Sequence, residues 1–205
     1  MKSYPTIDGK YVTGVVLTVF DKLDGSNIRA EWSKKRGFYK FGTRTRLVDE
    51  TDPLFGRTPA MIQDKYGKDL ERIYKENRYD RAIAFFEFWS PESFAGHHPE
   101  DLSNSTVTLF DVNPYKKGIL PPRDFLKLFG HLDVPRVVHV GHLEPQFVSS
   151  VKDGTLEDMM FEGVVCKYAH TKTGNASMFK IKSNPWLDKL RDYVDGDEDA
   201  FRRLA

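Results

Sequence analysis

This sequence is poor in three features, and each scarcity excludes a class of protein. Its 205 residues include a single cysteine, Cys166, so no intrachain disulfide can form. No apolar run approaches the roughly 18 residues of a membrane-spanning helix, and residues 1–10 lack the apolar core of a signal peptide. The net charge is only +1, so any basic nucleic-acid site must be local. We therefore expect a cytoplasmic protein with no membrane partner.

The remaining composition is typical of a folded domain. Aromatic residues make up 13% of the chain and charged residues 30%, which suits a globular protein with a sizeable core. No internal repeat, low-complexity tract or Gly/Ser linker divides the sequence. We expect residues 1–205 to form one domain.

Hydrophobic periodicity predicts an α+β fold. Ile28, Ala30 and Trp32 alternate with polar residues, as in a half-buried strand. Strands are predicted at 11–20, 28–33, 38–46, 82–89, 106–112, 137–143, 161–168 and 177–182. Helices are predicted at 58–74, at 121–129 and at the end of the chain, around 185–205. Short strands that follow one another with turns between them favour a mostly antiparallel sheet.

The segment Lys22-Leu23-Asp24-Gly25-Ser26-Asn27 places a lysine at the end of a predicted strand, followed by small polar residues. Gly25 lets a backbone approach a ligand closely, and Ser26 and Asn27 supply hydrogen-bonding groups. Taken alone, the segment is equally typical of a polar hairpin turn with a solvated lysine. It becomes a candidate nucleotide site only together with charged residues farther along the chain.

Those charged residues interrupt apolar strands. Glu87 lies inside the apolar run 82–89, and Glu162 begins another. A carboxylate in such a run either faces a polar cleft or points outward from an edge strand. Lys180 and Lys182 share one face of a strand, where they repel each other unless an anion such as phosphate lies between them. A solvated face is the alternative for this pair.

The order of these elements is more specific than any one of them. It runs Lys-x-Asp-Gly at 22–25, a strand glutamate at 87, Glu-Gly-Val-Val at 162–165 and Lys-x-Lys at 180–182. This order resembles the covalent nucleotidyltransferase superfamily of DNA ligases, RNA ligases and mRNA capping enzymes. Asn27 stands where DNA ligases and capping enzymes usually carry arginine. The first motif is therefore most similar to RNA ligases related to the second RNA ligase of phage T4.

The resemblance implies a role for each matching residue. Lys22 would attack the α-phosphate of ATP and hold AMP through a phosphoramidate bond. Glu162 would position the metal ion or the attacking group, and Lys180 and Lys182 would bind the α-phosphate. The other implied contacts with the nucleotide are Asp21 at the adenine amino group, Asp24 and Gly25 in the nucleophile turn, Asn27 at the phosphate and metal waters, Arg44 at the phosphate or ribose, Glu87 at the ribose hydroxyls and Phe110 against the adenine. Arg46 is the alternative to Arg44.

The implied cofactors are ATP and a divalent ion, Mg²⁺ or Mn²⁺. A lysine nucleophile must lose its proton, and the ordinary lysine pKa is about 10.4. Nearby cations lower that pKa, and we expect Lys180 and the metal ion to act on Lys22 in this way. The same cations stabilise charge that develops on the α-phosphate. Because Mg²⁺ keeps its waters and is carried by the triphosphate, a dense carboxylate cage is not needed.

The resemblance also implies a fold and an activity. The fold would be an ATP-grasp-like ligase domain, with mostly antiparallel sheets flanked by helices. The enzyme would be an ATP-dependent RNA ligase that transfers AMP to a 5′-phosphate RNA end and joins it to a 3′-OH end. Only residues 183–205 follow the last motif, so we expect no oligonucleotide-binding barrel. A DNA ligase, a capping-type nucleotidyltransferase and a non-catalytic nucleic-acid-binding module remain alternatives.

Two other clusters have weaker interpretations. Basic and aromatic residues interleave over 34–46, which suits a phosphate backbone with stacked bases or a solvated hairpin face. Two histidine pairs, at 97–98 and at 139 and 142, lack the spacing of zinc sites, so we expect no structural zinc. The sequence leaves open the oligomeric state and the form of the RNA substrate, which could be a nick, a single-stranded end or a cleaved loop.

Overall fold

Two antiparallel sheets flanked by helices make up the computed structural model, which describes residues 1–7, 10–170 and 174–205. The strands are β1 (Leu17–Asp21), β2 (Ser26–Ser33), β3 (Gly37–Gly42), β4 (Leu47–Val48), β5 (Arg81–Trp89), β6 (Thr106–Pro114), β7 (Val137–Gly141), β8 (Gly163–Ala169) and β9 (Ala176–Lys182). The helices are α1 (Thr58–Ile62), α2 (Lys68–Glu76), α3 (Pro122–Phe129), α4 (Pro145–Asp153), α5 (Asn184–Tyr193) and α6 (Glu198–Leu204). The predicted α+β class is confirmed.

The strand order determines where the two sheets meet. One sheet has the order β7-β1-β8-β9 and the other β4-β3-β2-β5-β6, and every strand pair in the described residues is antiparallel. Residues 22–25 connect β1 of the first sheet to β2 of the second. The candidate nucleophile segment is therefore the crossing between the sheets. No additional strand barrel is present in the described ranges.

The largest core lies between the five-stranded sheet and helices α1 to α3. The helix predicted over 58–74 places its apolar residues there: Ile62, Tyr66, Leu70, Ile73 and Tyr74 are at most 3% exposed, and Met61 is partly buried against the same core. A second cluster lies between the four-stranded sheet and α4. No helix in the described ranges is long and apolar enough to cross a membrane.

The two longest predicted strands are shorter in the structure. The strand expected over 11–20 begins only at Leu17, because Gly14 adopts a φ of 76° and turns the chain before it. The strand expected over 38–46 ends at Gly42. A turn follows it, closed by a hydrogen bond from the Thr43 N–H to the Arg46 carbonyl at 2.9 Å. Arg44 therefore lies in a loop rather than in a strand.

The alternation of β2 does not separate a core face from a solvent face. Arg29 and Glu31, on the polar side of the pattern, are only 6% and 3% exposed. The N-terminal segment covers this side, where Arg29 donates to the Ser3 hydroxyl at 2.7 Å. Glu31 accepts from Tyr39 at 2.7 Å and pairs with Arg81. Local periodicity cannot reveal this covering, since it comes from distant parts of the chain.

The helices also differ from the prediction in detail. The helix expected over 58–74 contains a π-helical turn at Gln63–Gly67, and α4 was not predicted. The helix expected around 185–205 is divided into α5 and α6. The division falls at Asp195 and Gly196, which adopt φ values of 48° and 80°. Asp197 then caps α6 by accepting from the Asp199 and Ala200 N–H groups.

Gly163 is fixed by its backbone and by its neighbours. Its φ is 133°, and a Cβ atom there would lie 2.1 Å from the Ile181 carbonyl oxygen. We expect Gly163→Ala to lower the free energy of unfolding by roughly 2–4 kcal/mol. Gly67→Ala is the matched control, because its Cβ would meet nothing closer than 3.9 Å. Urea unfolding of both variants measures the effect, and equal stability of the two would contradict this account.

Candidate active site

A cavity of about 570 Å³ opens between the two sheets at the crossing 22–25. Both sheets contribute to it, because residues of β1, β2, β5, β6, β8 and β9 line it. Every site residue predicted from the sequence lies there. These residues are Asp21, Lys22, Asp24, Gly25, Asn27, Arg44, Glu87, Phe110, Glu162, Lys180 and Lys182.

A chain of ion pairs forms the centre of the cavity. The Lys22 Nζ lies 2.9 Å from one Glu162 oxygen, and the Lys182 Nζ lies 3.0 Å from the other. The backbone produces this arrangement. The Lys22 N–H donates to the Gly163 carbonyl at 3.0 Å, and the Ser183 N–H donates to the Glu162 carbonyl at 3.0 Å. These bonds bring the ends of β1 and β9 to either side of Glu162.

The charge of Lys22 differs from the sequence-based expectation. Burial lowers the pKa of its ammonium group, but the carboxylates of Glu162, Glu87 and Asp24 outweigh burial and raise that pKa above its ordinary value. The expected net lowering of the Lys22 pKa is therefore wrong for the side chains of the protein alone, and the effect of a metal ion on this pKa stays a prediction. Lys22 is a protonated cation here, and it can act as a nucleophile only after a proton has left it.

The lysines of β9 show the opposite effect. Burial lowers the pKa of Lys182 to about 8, even though Glu162 favours its charged form. Burial and the charge of Lys22 lower the pKa of Lys180 as well. The ammonium groups of Lys180 and Lys182 are partly desolvated cations. An anion bound between them would reduce their mutual repulsion.

Glu87 faces the same cavity from β5. It pairs in register with Asn27 on β2, and its carboxylate accepts from the Gly25 N–H. Burial raises the pKa of Glu87 to about 8, with further contributions from the charges of Glu162 and Asp24. A Cβ atom on Gly25 would lie 2.2 Å from the Phe88 carbonyl oxygen, so only glycine allows this close approach.

Asp24 and Asp21 hold the surrounding structure in place. The Trp186 indole N–H donates to the Asp24 carboxylate at 2.6 Å, and the Lys182 ammonium lies 3.6 Å from the centre of the same ring. The Asp21 carboxylate accepts from the Met160 N–H at 2.9 Å, two residues before Glu162 in the chain. Asp24 thus fixes the ring that contacts Lys182, and Asp21 fixes the backbone shortly before Glu162.

Aromatic rings and one buried ion pair form another side of the cavity. Tyr4 packs edge-on against Phe110 with ring centres 5.0 Å apart. Lys167, only 3% exposed, donates to the Phe110 carbonyl and to the Asp111 carboxylate, both at 2.9 Å. Tyr4 donates to the same carboxylate. Sequence reasoning assigned no role to Tyr4 or Lys167, although a lysine within the apolar strand Gly163–Ala169 was a usable signal.

A histidine supports the nucleophile segment. The His98 Nε2 lies 2.9 Å from the Ser26 hydroxyl oxygen, and its Nδ1 lies 3.1 Å from the Ser93 hydroxyl oxygen. Burial and the neighbouring His97 lower the pKa of His98, so its ring is neutral near pH 7. His98 therefore makes hydrogen bonds within the protein, and sequence reasoning did not link it to Ser26.

The cavity fits a metal ion that arrives with phosphates. No group of three or more potential ligands from His, Cys, Asp and Glu is present among the residues that the structure describes. Asn27 lines the cavity, and its buried Oδ1 has no hydrogen-bond partner among the described residues, so this oxygen can accept a bond from a metal-bound water. Glu162 is the adjacent carboxylate that could contribute as well.

Solved structures resemble this fold over most of the chain. An archaeal ATP-dependent RNA ligase has a TM-score of 0.64 at 17% identity, covering 100% of this chain and 56% of its own. A Naegleria gruberi RNA ligase with pyrophosphate has a TM-score of 0.58 at 22% identity, covering 88% and 53%. A provisionally named ATP-dependent DNA ligase from Aquifex aeolicus has a TM-score of 0.65 at 16% identity. That match covers 100% of this chain and 57% of the ligase chain. The chain has a ligase nucleotidyltransferase fold.

The chain spans about half the length of these ligase structures. No protein-family model matches the sequence, and neither does any curated protein. The fold is therefore established by structural likeness at low identity, whereas the chemistry must be argued from the cavity.

Within this ligase fold, the two candidate arginines are distinguishable. Arg46 pairs with Asp52 and lies over the Phe55 ring. Both arginines line the cavity, but none of the described residues forms an ion pair with Arg44. Arg44 is therefore the better candidate for a nucleotide contact. The basic residues at 34–36 lie at the far end of the β2–β3 hairpin and do not line the cavity.

The raised pKa of Glu87 predicts a pH-dependent stability. The folded protein keeps a proton on Glu87 between the ordinary pKa of 4.5 and about 8, whereas the unfolded chain loses it. The stability associated with this proton is complete at low pH and is lost as pH rises through about 8. Glu87→Gln cannot ionise, so it should exceed the wild type by a few kcal/mol near pH 9 and by little near pH 5.

Urea unfolding at the two pH values measures this difference. Glu50→Gln, at an exposed position outside the cavity, is the control and should follow the wild type at both. If the advantage of Glu87→Gln is the same at both pH values, the carboxyl is not protonated in the folded protein.

Proposed function

We propose that residues 1–205 form the single adenylyltransferase domain of an ATP-dependent RNA ligase. The observation that supports this most directly is the bridge of Glu162 between Lys22 and Lys182, with distances of 2.9 and 3.0 Å. A nucleophilic lysine, a carboxylate and a phosphate-binding cation are thereby adjacent in one cavity. The ligase fold agrees with this chemistry.

In the proposed first step, ATP enters the cavity. Its adenine packs against Phe110, and its ribose hydroxyls donate to Glu87. Lys180 and Lys182 contact the α-phosphate. A divalent ion bound with ATP would neutralise phosphate charge, and the oxygens of Asn27 and Glu162 fit its hydration shell.

The bond changes of that step follow from the position of Lys22. Glu162, at 2.9 Å, accepts the proton of the Lys22 ammonium. The freed lone pair attacks the α-phosphorus and forms a P–N bond. The bond between the α-phosphorus and the bridging oxygen breaks, and pyrophosphate leaves with the electron pair. The cations of β9 stabilise the negative charge that develops.

Two later steps complete the proposed reaction. The 5′-phosphate of an RNA strand attacks the lysyl-AMP, which releases Lys22 and leaves AMP on the strand through a 5′–5′ linkage. A 3′-OH then attacks the adenylylated phosphate, forms the phosphodiester bond and releases AMP. Both steps use the same α-phosphate site, so Lys180 and Lys182 contribute to all three.

A DNA ligase is the second candidate. The structure from Aquifex aeolicus, with its TM-score of 0.65, favours it as much as the archaeal RNA ligase favours the first. Asn27 is the feature that favours RNA, because DNA ligases usually carry arginine at this place in the motif. The choice between RNA and DNA therefore depends on Asn27, because the RNA ligase and the DNA ligase structures share the fold.

The first test is the covalent intermediate. With ATP and Mg²⁺, peptide mapping should place one added AMP on Lys22, and Lys22→Ala should lose the adduct. Lys189→Ala, at an exposed lysine outside the cavity, is the control and should label like the wild type. Labelling by GTP instead of ATP would indicate a capping enzyme, and absence of any adduct would favour a non-catalytic binding module.

The second test concerns the sugar at the joining end. Nicked duplexes with pre-adenylylated 5′ ends should be sealed faster when the two 3′-terminal nucleotides are ribose than when they are deoxyribose. A protein can distinguish the two through the 2′-OH, which both donates and accepts hydrogen bonds. Pre-adenylylation removes the charging step from the comparison. Equal rates, or faster sealing of DNA ends, would favour the DNA ligase.

A further inference from the structure

Helix α6 brings side chains to the cavity that the proposed reaction has not used. Arg203 and Leu204 both belong to the lining. The Lys180 Nζ donates to the Ala205 carbonyl at 2.8 Å, and the Lys182 Nζ donates to the Leu204 carbonyl at 3.1 Å. The C-terminal end of α6 therefore lies directly against the two lysines of β9.

Apolar packing holds α6 in this position. Phe201 and Leu204 pack against the cluster that contains Trp186 and Leu190 of α5. The Arg191 guanidinium lies 4.8 Å from the centre of the Phe201 ring. Trp186 also contacts Lys182, so α6 is attached to an element that already belongs to the site.

The lysine contacts with α6 indicate where an anion binds. The last carbonyls of a helix have no partner within the helix and carry partial negative charge, so cations near them are stabilised. Lys180 and Lys182 thus donate to main-chain oxygens at the end of α6. A phosphate oxygen is a stronger acceptor than a carbonyl, because hydrogen bonds between two charged groups are shorter and stronger. ATP can therefore replace these contacts.

Arg203 is placed to act together with the two lysines. It directly precedes Leu204, whose carbonyl contacts Lys182, and its exposed side chain lines the cavity. No hydrogen bond or ion pair connects the Arg203 guanidinium to another residue in the described ranges. Arg202, its neighbour on α6, is also exposed but does not line the cavity.

The charges in the cavity leave a role for this arginine. Glu162 offsets one of the two positive charges of Lys22 and Lys182. A triphosphate brings more negative charge than the α-phosphate alone, and that charge moves onto pyrophosphate as the bridging bond breaks. A guanidinium matches two phosphate oxygens at once. We propose that Arg203 binds the β- and γ-phosphates of ATP and the pyrophosphate that leaves, an inference that rests on the proposed function.

Arg203→Ala and Arg202→Ala form a matched pair for testing this. Relative to Arg202→Ala, Arg203→Ala should lower kcat/KM for formation of the Lys22–AMP adduct by roughly tenfold or more. Arg203→Ala should also raise, by a similar factor, the concentration of pyrophosphate needed to reverse formation of the adduct. Arg203→Lys should recover part of the loss, because lysine keeps the charge but lacks the paired donors.

Joining of a pre-adenylylated strand distinguishes phosphate binding by Arg203 from a purely structural role. A structural role would slow this step as well, whereas a role in phosphate binding would not. Neither the β- nor the γ-phosphate takes part in that step, so its rate in Arg203→Ala should stay within about twofold of the wild type. If Arg203→Ala slows adduct formation and joining equally, Arg203 supports the fold. If Arg203→Ala forms the adduct as fast as Arg202→Ala, Arg203 does not bind the phosphates. Faster adduct formation would mean that α6 obstructs ATP entry.

The failure of this inference can be distinguished from that of the proposed function. If the wild type forms no adduct on Lys22, the proposed function fails and the role of Arg203 fails with it. If the wild type forms the adduct and Arg203→Ala matches Arg202→Ala, only the role of Arg203 is overturned.

Discussion

The position of Glu162 between two lysines is the interaction on which the site depends. One carboxylate contacts Lys22 from β1 and Lys182 from β9, and it is only 4% exposed. A buried carboxylate is stable only when its charge is paired, and the two ammonium groups meet this requirement from either side. The pairing in turn needs the backbone of Gly163 in a conformation that other residues rarely adopt. The bridge therefore links the chemistry of the cavity to the packing of the strand beside it.

The features that the sequence revealed are those with a local signature. The stripe of Ile62, Tyr66 and Leu70 repeats with helical spacing, and the residues that line the cavity occur in short motifs in a recognisable order. Glu87 could be identified because a charged residue inside an apolar strand is unusual. In each case a few neighbouring residues carry enough information to predict the structure or the site.

The features that escaped prediction depend on contacts between distant segments. The raised pKa of Lys22 is caused by carboxylates from three separate parts of the chain, and their combined effect exceeds that of burial. Tyr4 reaches Phe110 and Asp111 across more than 100 positions, and residue 3 covers Arg29 across 26 positions. Helix α6 has a capping residue at Asp197, but its sequence gives no indication that its end contacts β9.

The protonated carboxyl of Glu87 has a consequence for how the cavity responds to a ligand. Near neutral pH the Glu87 carboxyl holds a proton that an ordinary glutamate would have released. Any molecule that changes the solvation or the charge around this carboxyl also changes its affinity for that proton. Occupancy of the cavity is thereby linked to proton exchange with the solvent. The heat that accompanies binding then contains the ionisation heat of the buffer in addition to the energy of the contacts.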